Sequence, residues 1–178
     1  VVLLGDHGWS LGEHTMWNKH ALFDIALRTP LIIRAPNHLS SRNNVVVSLL
    51  DLFPTLTDLS GLPLPKNLDG VSLVPILSNP QVGVRTAAIS RWFDGASART
   101  NQFRYTDWRD ESGEIEARML FDLSNDPGET RNVAEEDRYK DVVFELSTFI
   151  TSDDSGHPWS PIVRDHVKVR KNIQTVVE

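Results

Sequence analysis

The chain has 178 residues, of which 40% are apolar, and it carries a formal net charge of −6 at pH 7. That length is enough for one domain with a substantial core, and the acidic balance argues against a general nucleic-acid binder. The sequence contains no cysteine, which excludes a disulfide framework and thiol chemistry. No stretch approaches the length of a membrane span, so we expect a globular domain without a membrane span and with no nucleic acid as partner.

The first element is an apolar run, residues 1–4, which ends in the segment GDHGWSLGEHTMWNK, residues 5–19, here called the motif loop. Such a run, ended by glycine, is typical of a buried parallel strand, and ligands bind beyond the carboxyl ends of these strands. Asp6 and His7 follow that end directly, and a carboxylate and an imidazole can both ligate a divalent cation. Lys19 could reach back toward an anion as a point charge. The alternatives are an ordinary Asp-His-Gly turn and a solvated surface lysine.

Strand and helix patterns alternate up to about residue 80. Residues 31–35 are predicted to form a second buried strand, and residues 45–48 a short extended segment. Apolar residues at helical spacing predict a helix over about 50–60, which a glycine ends. Ser72 is expected to cap a short helical turn through residue 77.

From residue 85 the pattern changes to short segments separated by turns. The alternation of Phe103 and Tyr105 with polar residues is typical of a half-buried strand, and we predict an antiparallel sheet over about 87–123. Apolar residues on one helical face predict a final helix over about 137–150, packed on that sheet. The chain is thus divided into residues 1–80, residues 81–151 and a tail, 152–178.

The motif loop and several later segments, in this order, resemble the type I sulfatases of the alkaline phosphatase superfamily, and most closely the iduronate-2-sulfatase group. The later segments are FD at 23–24, TPLII at 29–33, DLFPTL at 51–56, LDGVSL at 68–73 and LFDLSNDPGE at 120–129. The resemblance covers roughly residues 1–150. It implies the C-terminal part of an α/β sulfatase fold, with a mixed sheet completed by residues outside this chain and followed by a small antiparallel sheet and a helix. It also implies an exported, periplasmic, secreted or lysosomal protein.

The resemblance further implies a metal-dependent sulfuric ester hydrolase that acts on a sulfated saccharide. In that family a formylglycine, made from Cys or Ser in a Cys/Ser-x-Pro-x-Arg sequence, attacks sulfur, and a divalent cation, usually Ca²⁺, orients the attack. By position, Asp6 and His7 correspond to metal ligands and Lys19 to a catalytic contact with the sulfate or leaving group. Trp9 and His14 correspond to the substrate-binding border, although Trp9 could serve packing and His14 could be a structural hydrogen bonder.

The chain departs from the family at the nucleophile. It has no cysteine, no Ser-x-Pro-x-Arg sequence, and none of the paired aspartates that the family supplies near its amino terminus. Position 5 is glycine, where the family usually carries serine or threonine. We therefore expect the chain alone to be inactive, with the nucleophile in a missing N-terminal portion of the same protein.

Three other interpretations remain open. A phosphonate monoester or phosphodiester hydrolase of the same superfamily has much of the motif loop in common with this chain. Choline-sulfatase-like enzymes have the same arrangement of motifs. A non-catalytic module that binds glycan or scaffolds a partner would explain the lack of a nucleophile. Arg91, Trp92, Arg99 and Arg104 could line a sugar-binding rim, since guanidinium and aromatic groups suit sulfated glycans, or they could belong to an exposed sheet face.

Overall fold

The computed structural model describes residues 1–38, 40–110 and 112–151, so the predicted tail lies outside the described residues. The strands are β1 (Val2–Leu4), β2 (Leu31–Ile33), β3 (Ala88–Trp92), β4 (Gly95–Arg99), β5 (Phe103–Arg109) and β6 (Ile115–Asp122). The α-helices are α1 (Asp24–Leu27), α2 (Leu52–Leu59), α3 (Val74–Ser78) and α4 (Lys140–Thr151). Single 3₁₀ turns cover Glu13–Thr15, Leu49–Asp51 and Asp137–Tyr139. None of the described helices is both long and apolar enough to cross a membrane. The division into residues 1–80 and 81–151 stays a prediction.

The first strand pairs antiparallel with β2, which places Val2 opposite Ile33. The prediction of a parallel strand is therefore wrong for this pairing, because an apolar run carries no information about the direction of its neighbour. The expected burial is not met among the described residues either, since Leu3 is 59% exposed and Ile32 is 60% exposed. The β1–β2 pair nevertheless fixes the two ends of the segment that connects its strands. That segment contains the motif loop and α1.

The predicted helix near residue 50 is confirmed, and its start explains the segment before it. Ser48 belongs to a capping box, in which its hydroxyl accepts from the Leu50 backbone and its own N–H donates to the Asp51 carboxylate. Residues 45–48 therefore form no strand and lead instead into the 3₁₀ turn and α2. Pro54 lies in the first turn of α2, where a missing N–H removes no helical hydrogen bond.

The antiparallel sheet is confirmed, with strand order β3-β4-β5-β6. Helix α4 lies over it, as the apolar face predicted, and its residues Val143, Leu146 and Ile150 join the core. Tyr105 and Leu120 supply the sheet side of that core and are fully buried. The N-terminal segment packs against this unit of four strands and one helix.

Candidate functional site

Three of the predicted site residues converge in the motif loop. The Nε2 atom of His7 lies 3.6 Å from Oδ2 of Asp6 and 2.8 Å from Nζ of Lys19. The Asp6 side chain is largely exposed, and that of His7 is about one-third exposed. A carboxylate, an imidazole and an ammonium thus meet at one point on an accessible surface.

The hydrogen bonds of His7 fix its tautomer. Its Nδ1 atom lies 2.7 Å from the Gly8 carbonyl oxygen, and a carbonyl only accepts, so Nδ1 carries the proton. The Lys19 ammonium only donates, so Nε2 must offer it a lone pair. These contacts place the Nε2 lone pair toward Lys19, with the Asp6 carboxylate 3.6 Å away.

The motif loop is held in shape by backbone contacts with α1. The Gly8 N–H donates to the Ala26 carbonyl at 2.7 Å, and a Cβ added at Gly8 would lie 2.0 Å from the Ile25 carbonyl oxygen. Only glycine allows this close approach of two backbone segments. Farther along, the Ser10 N–H donates to the Asn18 carbonyl at 2.9 Å, which folds the loop back and returns Lys19 to His7.

Trp9 and His14 take different places around this cluster. The Trp9 ring lies 6.3 Å from the His7 ring and is 49% exposed, so the indole borders the cluster and is free to meet a ligand. The His14 ring stacks on Phe23 with centroids 3.8 Å apart. Among the described residues, no ring contact or hydrogen bond joins His14 to Asp6, His7 or Lys19, and its substrate role stays a prediction.

The donor set fits part of a metal site. A ligating histidine usually donates its second ring N–H to a carbonyl or carboxylate, and His7 does so through Nδ1 to Gly8. Asp6 adds a hard oxygen ligand of the kind that Ca²⁺ prefers. No group of three or more potential metal-binding residues occurs in the part of the chain that the structure describes, so Asp6 and His7 would need further ligands to complete a coordination shell.

Sequence reasoning missed a buried group of charges beside α1, here called the ion-pair cluster: Asp24, Arg99, Arg104 and Glu129. Arg104 donates to the Asp24 carboxylate and, through Nε, to Oε1 of Glu129 at 2.6 Å. Arg99 adds a longer contact to Asp24 at 3.4 Å. Arg104 and Glu129 are each only 2% exposed. The cluster therefore joins α1 to strands β4 and β5 and to the turn after β6.

The two carboxyl groups of this cluster respond oppositely to their surroundings. Burial acts to raise the pKa of Asp24, but Arg104 and Arg99 together outweigh it and hold that pKa below its usual value. Burial raises the pKa of Glu129 above its usual value, because the attraction of Arg104 offsets only part of the desolvation. Asp24 is thus the more firmly ionised partner of Arg104.

The proposed sugar-binding rim is wrong for Arg104, since a buried guanidinium cannot reach a glycan. Arg99 is engaged with Asp24, and Arg91 donates to the Ile150 carbonyl of α4 at 3.2 Å. Trp92 stacks on His20 with ring centroids 4.5 Å apart. The available signal for the ion-pair cluster was the pair of acidic residues Asp24 and Glu129 in the FD and DPGE segments, because these carboxylates bind Arg99 and Arg104.

Residues 12–154 match the protein family described as N-sulphoglucosamine sulphohydrolase, C-terminal. Arylsulfatase K of Rattus norvegicus is 31% identical over 167 residues, which cover 85% of this chain and 29% of that relative. Delta 4,5-hexuronate-2-O-sulfatase of Bacteroides thetaiotaomicron is 31% identical over 169 residues, which cover 85% of this chain and 34% of that relative. The chain thus spans about a third of the length of the curated relatives it matches.

Solved structures agree with these relatives. A 2-O GAG sulfatase aligns with a TM-score of 0.73 at 28% identity, covering 86% of this chain and 36% of its own. A protein in complex with its substrate D-glucosamine-2-N,6-O-disulfate aligns with a TM-score of 0.71 at 26% identity, covering 85% and 33%. The phosphonate monoester hydrolase of Agrobacterium radiobacter aligns with a TM-score of 0.70 at 30% identity, covering 88% and 35%.

These likenesses confirm the predicted fold class, a mixed α/β segment followed by an antiparallel sheet and a helix as in sulfatases. The family match covers the ion-pair cluster, the sheet and residues 12–19 of the motif loop, and it begins after Asp6 and His7. The chain therefore belongs to the N-sulphoglucosamine sulphohydrolase C-terminal family, within the type I sulfatases that its sequence resembles.

Proposed function

We propose that the protein containing this chain hydrolyses a sulfate ester on a saccharide, with Lys19 as a catalytic contact and Asp6 and His7 as metal ligands. The observation that carries the proposal is the convergence of these three side chains at His7 Nε2 in a member of a sulfatase family. The nucleophile, a formylglycine, is proposed to lie outside this chain, which has no cysteine. Trp9, exposed beside His7, is proposed to border the saccharide.

A 2-O-sulfated hexuronate is the proposed substrate class. The name of the Bacteroides relative specifies the 2-O-sulfate of a hexuronate, and one aligned structure is a 2-O GAG sulfatase. The motif loop itself most resembles the iduronate-2-sulfatase group. All three likenesses agree on a 2-O-sulfate, and two of them, the Bacteroides relative and the iduronate-2-sulfatase group, also agree on a hexuronate.

The arrangement assigns a separate task to each side chain. A divalent cation, proposed to be Ca²⁺, supplies charge neutralisation at the sulfate when bound. His7 offers Nε2, with its ring oriented by the Nδ1–H bond to Gly8, and Asp6 offers an anionic oxygen. Lys19 donates to the same Nε2 lone pair, so its ammonium and a bound cation would compete for His7. The proposed task of the ammonium is to stabilise the bridging oxygen, where negative charge develops as the S–O bond breaks.

The proposal is tested by measuring sulfate release from the full-length protein with Ca²⁺ present. The substrates are a 2-O-sulfated hexuronate disaccharide and a 6-O-sulfated glucosamine, assayed at equal concentration by ion chromatography. We expect faster release from the hexuronate and loss of release in Lys19→Ala. Binding of the disaccharide without any turnover would instead favour a non-catalytic glycan-binding module.

The second candidate is a phosphonate monoester hydrolase. It is favoured by one observation, the alignment at 30% identity with the enzyme of that activity from Agrobacterium radiobacter. A phenyl phosphonate monoester assayed in parallel separates the two candidates. A higher kcat/KM on the phosphonate than on every sulfate ester tested would reverse the assignment.

A further inference from the structure

We infer that Glu129 and Arg104 are positioning residues for the candidate site, which they hold in place through α1. This role rests on the proposed function for its consequence in catalysis, but its structural part can be measured separately. Among the described residues, neither Glu129 nor Arg104 makes a hydrogen bond or ion pair with Asp6, His7 or Lys19. Their effect must therefore pass through the backbone that lies between.

The first step joins Glu129 to α1. Its Oε2 atom accepts from the Asp24 backbone N–H at 2.6 Å, while its Oε1 atom accepts from Arg104 Nε at 2.6 Å. Arg104 also donates to the Asp24 carboxylate. One carboxylate and one guanidinium thus hold both the backbone and the side chain of the first residue of α1.

The second step joins α1 to His7. The Ala26 carbonyl in α1 accepts from the Gly8 N–H at 2.7 Å, and the Ile25 carbonyl packs against the Gly8 Cα, which leaves no room for a Cβ. The Gly8 carbonyl in turn orients the His7 ring through Nδ1. A displacement of α1 is therefore transmitted to the atom that decides where Nε2 points.

The third step is the conformation of Glu129 itself. Its φ is +55°, a region that a large non-glycine residue rarely adopts and that indicates strain where it occurs. Glycine would relieve that strain, but it would also remove the only carboxylate that bridges Arg104 and the Asp24 backbone among the described residues. The position therefore requires the carboxylate in spite of its backbone.

A purely structural role is the competing explanation, and a matched control separates the two. Asp51 is also fully buried and also pairs with an arginine, Arg85. Its carboxylate accepts from Ser48, Val71 and Arg85, and these residues lie outside the motif loop, α1 and the ion-pair cluster. Asp51→Asn should therefore reduce stability without reorienting His7.

The experiment compares Glu129→Gln with Asp51→Asn in the full-length protein. We expect both to lower Tm, but only Glu129→Gln to change the ¹⁵N chemical shifts of the two His7 ring nitrogens, measured by NMR. On the 2-O-sulfated disaccharide we expect Glu129→Gln to lower kcat by up to about 10-fold, the lower end of the loss seen when a direct partner of a metal-binding histidine is removed, because Glu129 acts on His7 only through α1 and Gly8. KM should stay close to that of the control.

Unchanged His7 shifts in Glu129→Gln, together with a kcat equal to that of Asp51→Asn, would overturn the inference. If the parent protein hydrolyses no sulfate ester, the proposed function fails, and the His7 shifts alone still decide whether Glu129 positions the ring. If Glu129→Gln does not fold, Arg104→Lys replaces it under the same criteria, because lysine keeps the charge but cannot bridge two carboxylates as a planar fork.

Discussion

At the level of single residues, the proposed catalytic role of Lys19 can be tested by substituting its side chain. Lys19→Ala should lower kcat by an amount that corresponds to about 2 to 4 kcal/mol of lost transition-state stabilisation, as for removal of other preorganised donors. The effect on KM should be smaller. The reason is that charge gathers on the bridging oxygen only as the S–O bond breaks. Lys19→Arg should rescue poorly, since a planar fork does not occupy the position of a compact ammonium. Steady-state kinetics on both variants measures these effects.

The opposite result has a definite meaning for Lys19. If kcat of Lys19→Ala stays within about threefold of the parent value, the difference is below about 1 kcal/mol. The residue would then be a solvated lysine whose contact with His7 has no role in turnover.

Metal affinity should distinguish Asp6 from Lys19, although both lie beside His7. Asp6→Ala removes an anionic ligand and should weaken Ca²⁺ binding strongly. Lys19→Met removes a cation that competes for the His7 Nε2 lone pair, and it should leave binding unchanged or strengthen it. Isothermal titration calorimetry on the full-length protein tests both variants. Unchanged Ca²⁺ affinity in Asp6→Ala would contradict the assignment of Asp6 as a ligand, and weaker binding in Lys19→Met would contradict the competition for His7 Nε2.

At the level of elements, the contact between the motif loop and α1 depends on the absence of a side chain at Gly8. Gly8→Ala places a Cβ 2.0 Å from a backbone oxygen, and we expect a loss of about 1 to 3 kcal/mol of stability, as for other overpacked sites. Gly83→Ala is the control, since a Cβ there meets nothing within 4 Å. Urea unfolding of both variants gives the comparison. A Gly8→Ala protein as stable as the control would show that the two segments separate easily.

The sequence predicted those elements whose pattern is local. Helix α2 and helix α4 follow from apolar residues at helical spacing, and the antiparallel sheet follows from alternation between turns. The direction of β1 could not be predicted, because residues 1–4 are apolar at every position and so lack the alternation that marks an antiparallel strand. The convergence of Asp6, His7 and Lys19 was predictable because all three lie within one short loop.

The ion-pair cluster was not predictable in the same way. Asp24 and Arg104 are 80 residues apart, and Asp24 and Glu129 are 105 residues apart. No period or turn signal connects such distant positions, and in a sequence a buried arginine looks the same as an exposed one. This is why both interpretations of Arg104, a sugar-binding rim and an exposed sheet face, placed it at the surface when it is an interior residue.

At the level of the whole molecule, Asp24 should make stability depend on pH. Its folded pKa is lowered by Arg104 and Arg99 against the effect of burial, so its contribution is present above the unfolded pKa of about 3.9 and is lost as pH falls through the folded value. Asp24→Asn should reduce the free energy of unfolding at pH 7 by about 1.5 to 3 kcal/mol, because Arg104 loses one charged acceptor and keeps the other, Glu129.

The same variant provides the pH test. Urea unfolding between pH 3 and pH 7 should show a constant difference between parent and Asp24→Asn down to about pH 4. The difference should then shrink in more acidic solution, where the parent carboxylate also loses its charge. A difference that persists unchanged at pH 3 would mean that Asp24 contributes through packing and not through its charge.

The ion-pair cluster also has a consequence for the order of folding. Its contacts close loops of 80 and 105 residues. Long loops close late, because the chain must lose conformational entropy before the contacts between its distant parts can stabilise it. The hairpins β3–β4, β4–β5 and β5–β6 are local and can form first. During synthesis the motif loop leaves the ribosome ahead of Glu129, yet α1 acquires its anchor only after the turn beyond β6 has emerged. The candidate site is therefore among the first parts of this chain to be made and among the last to be completed.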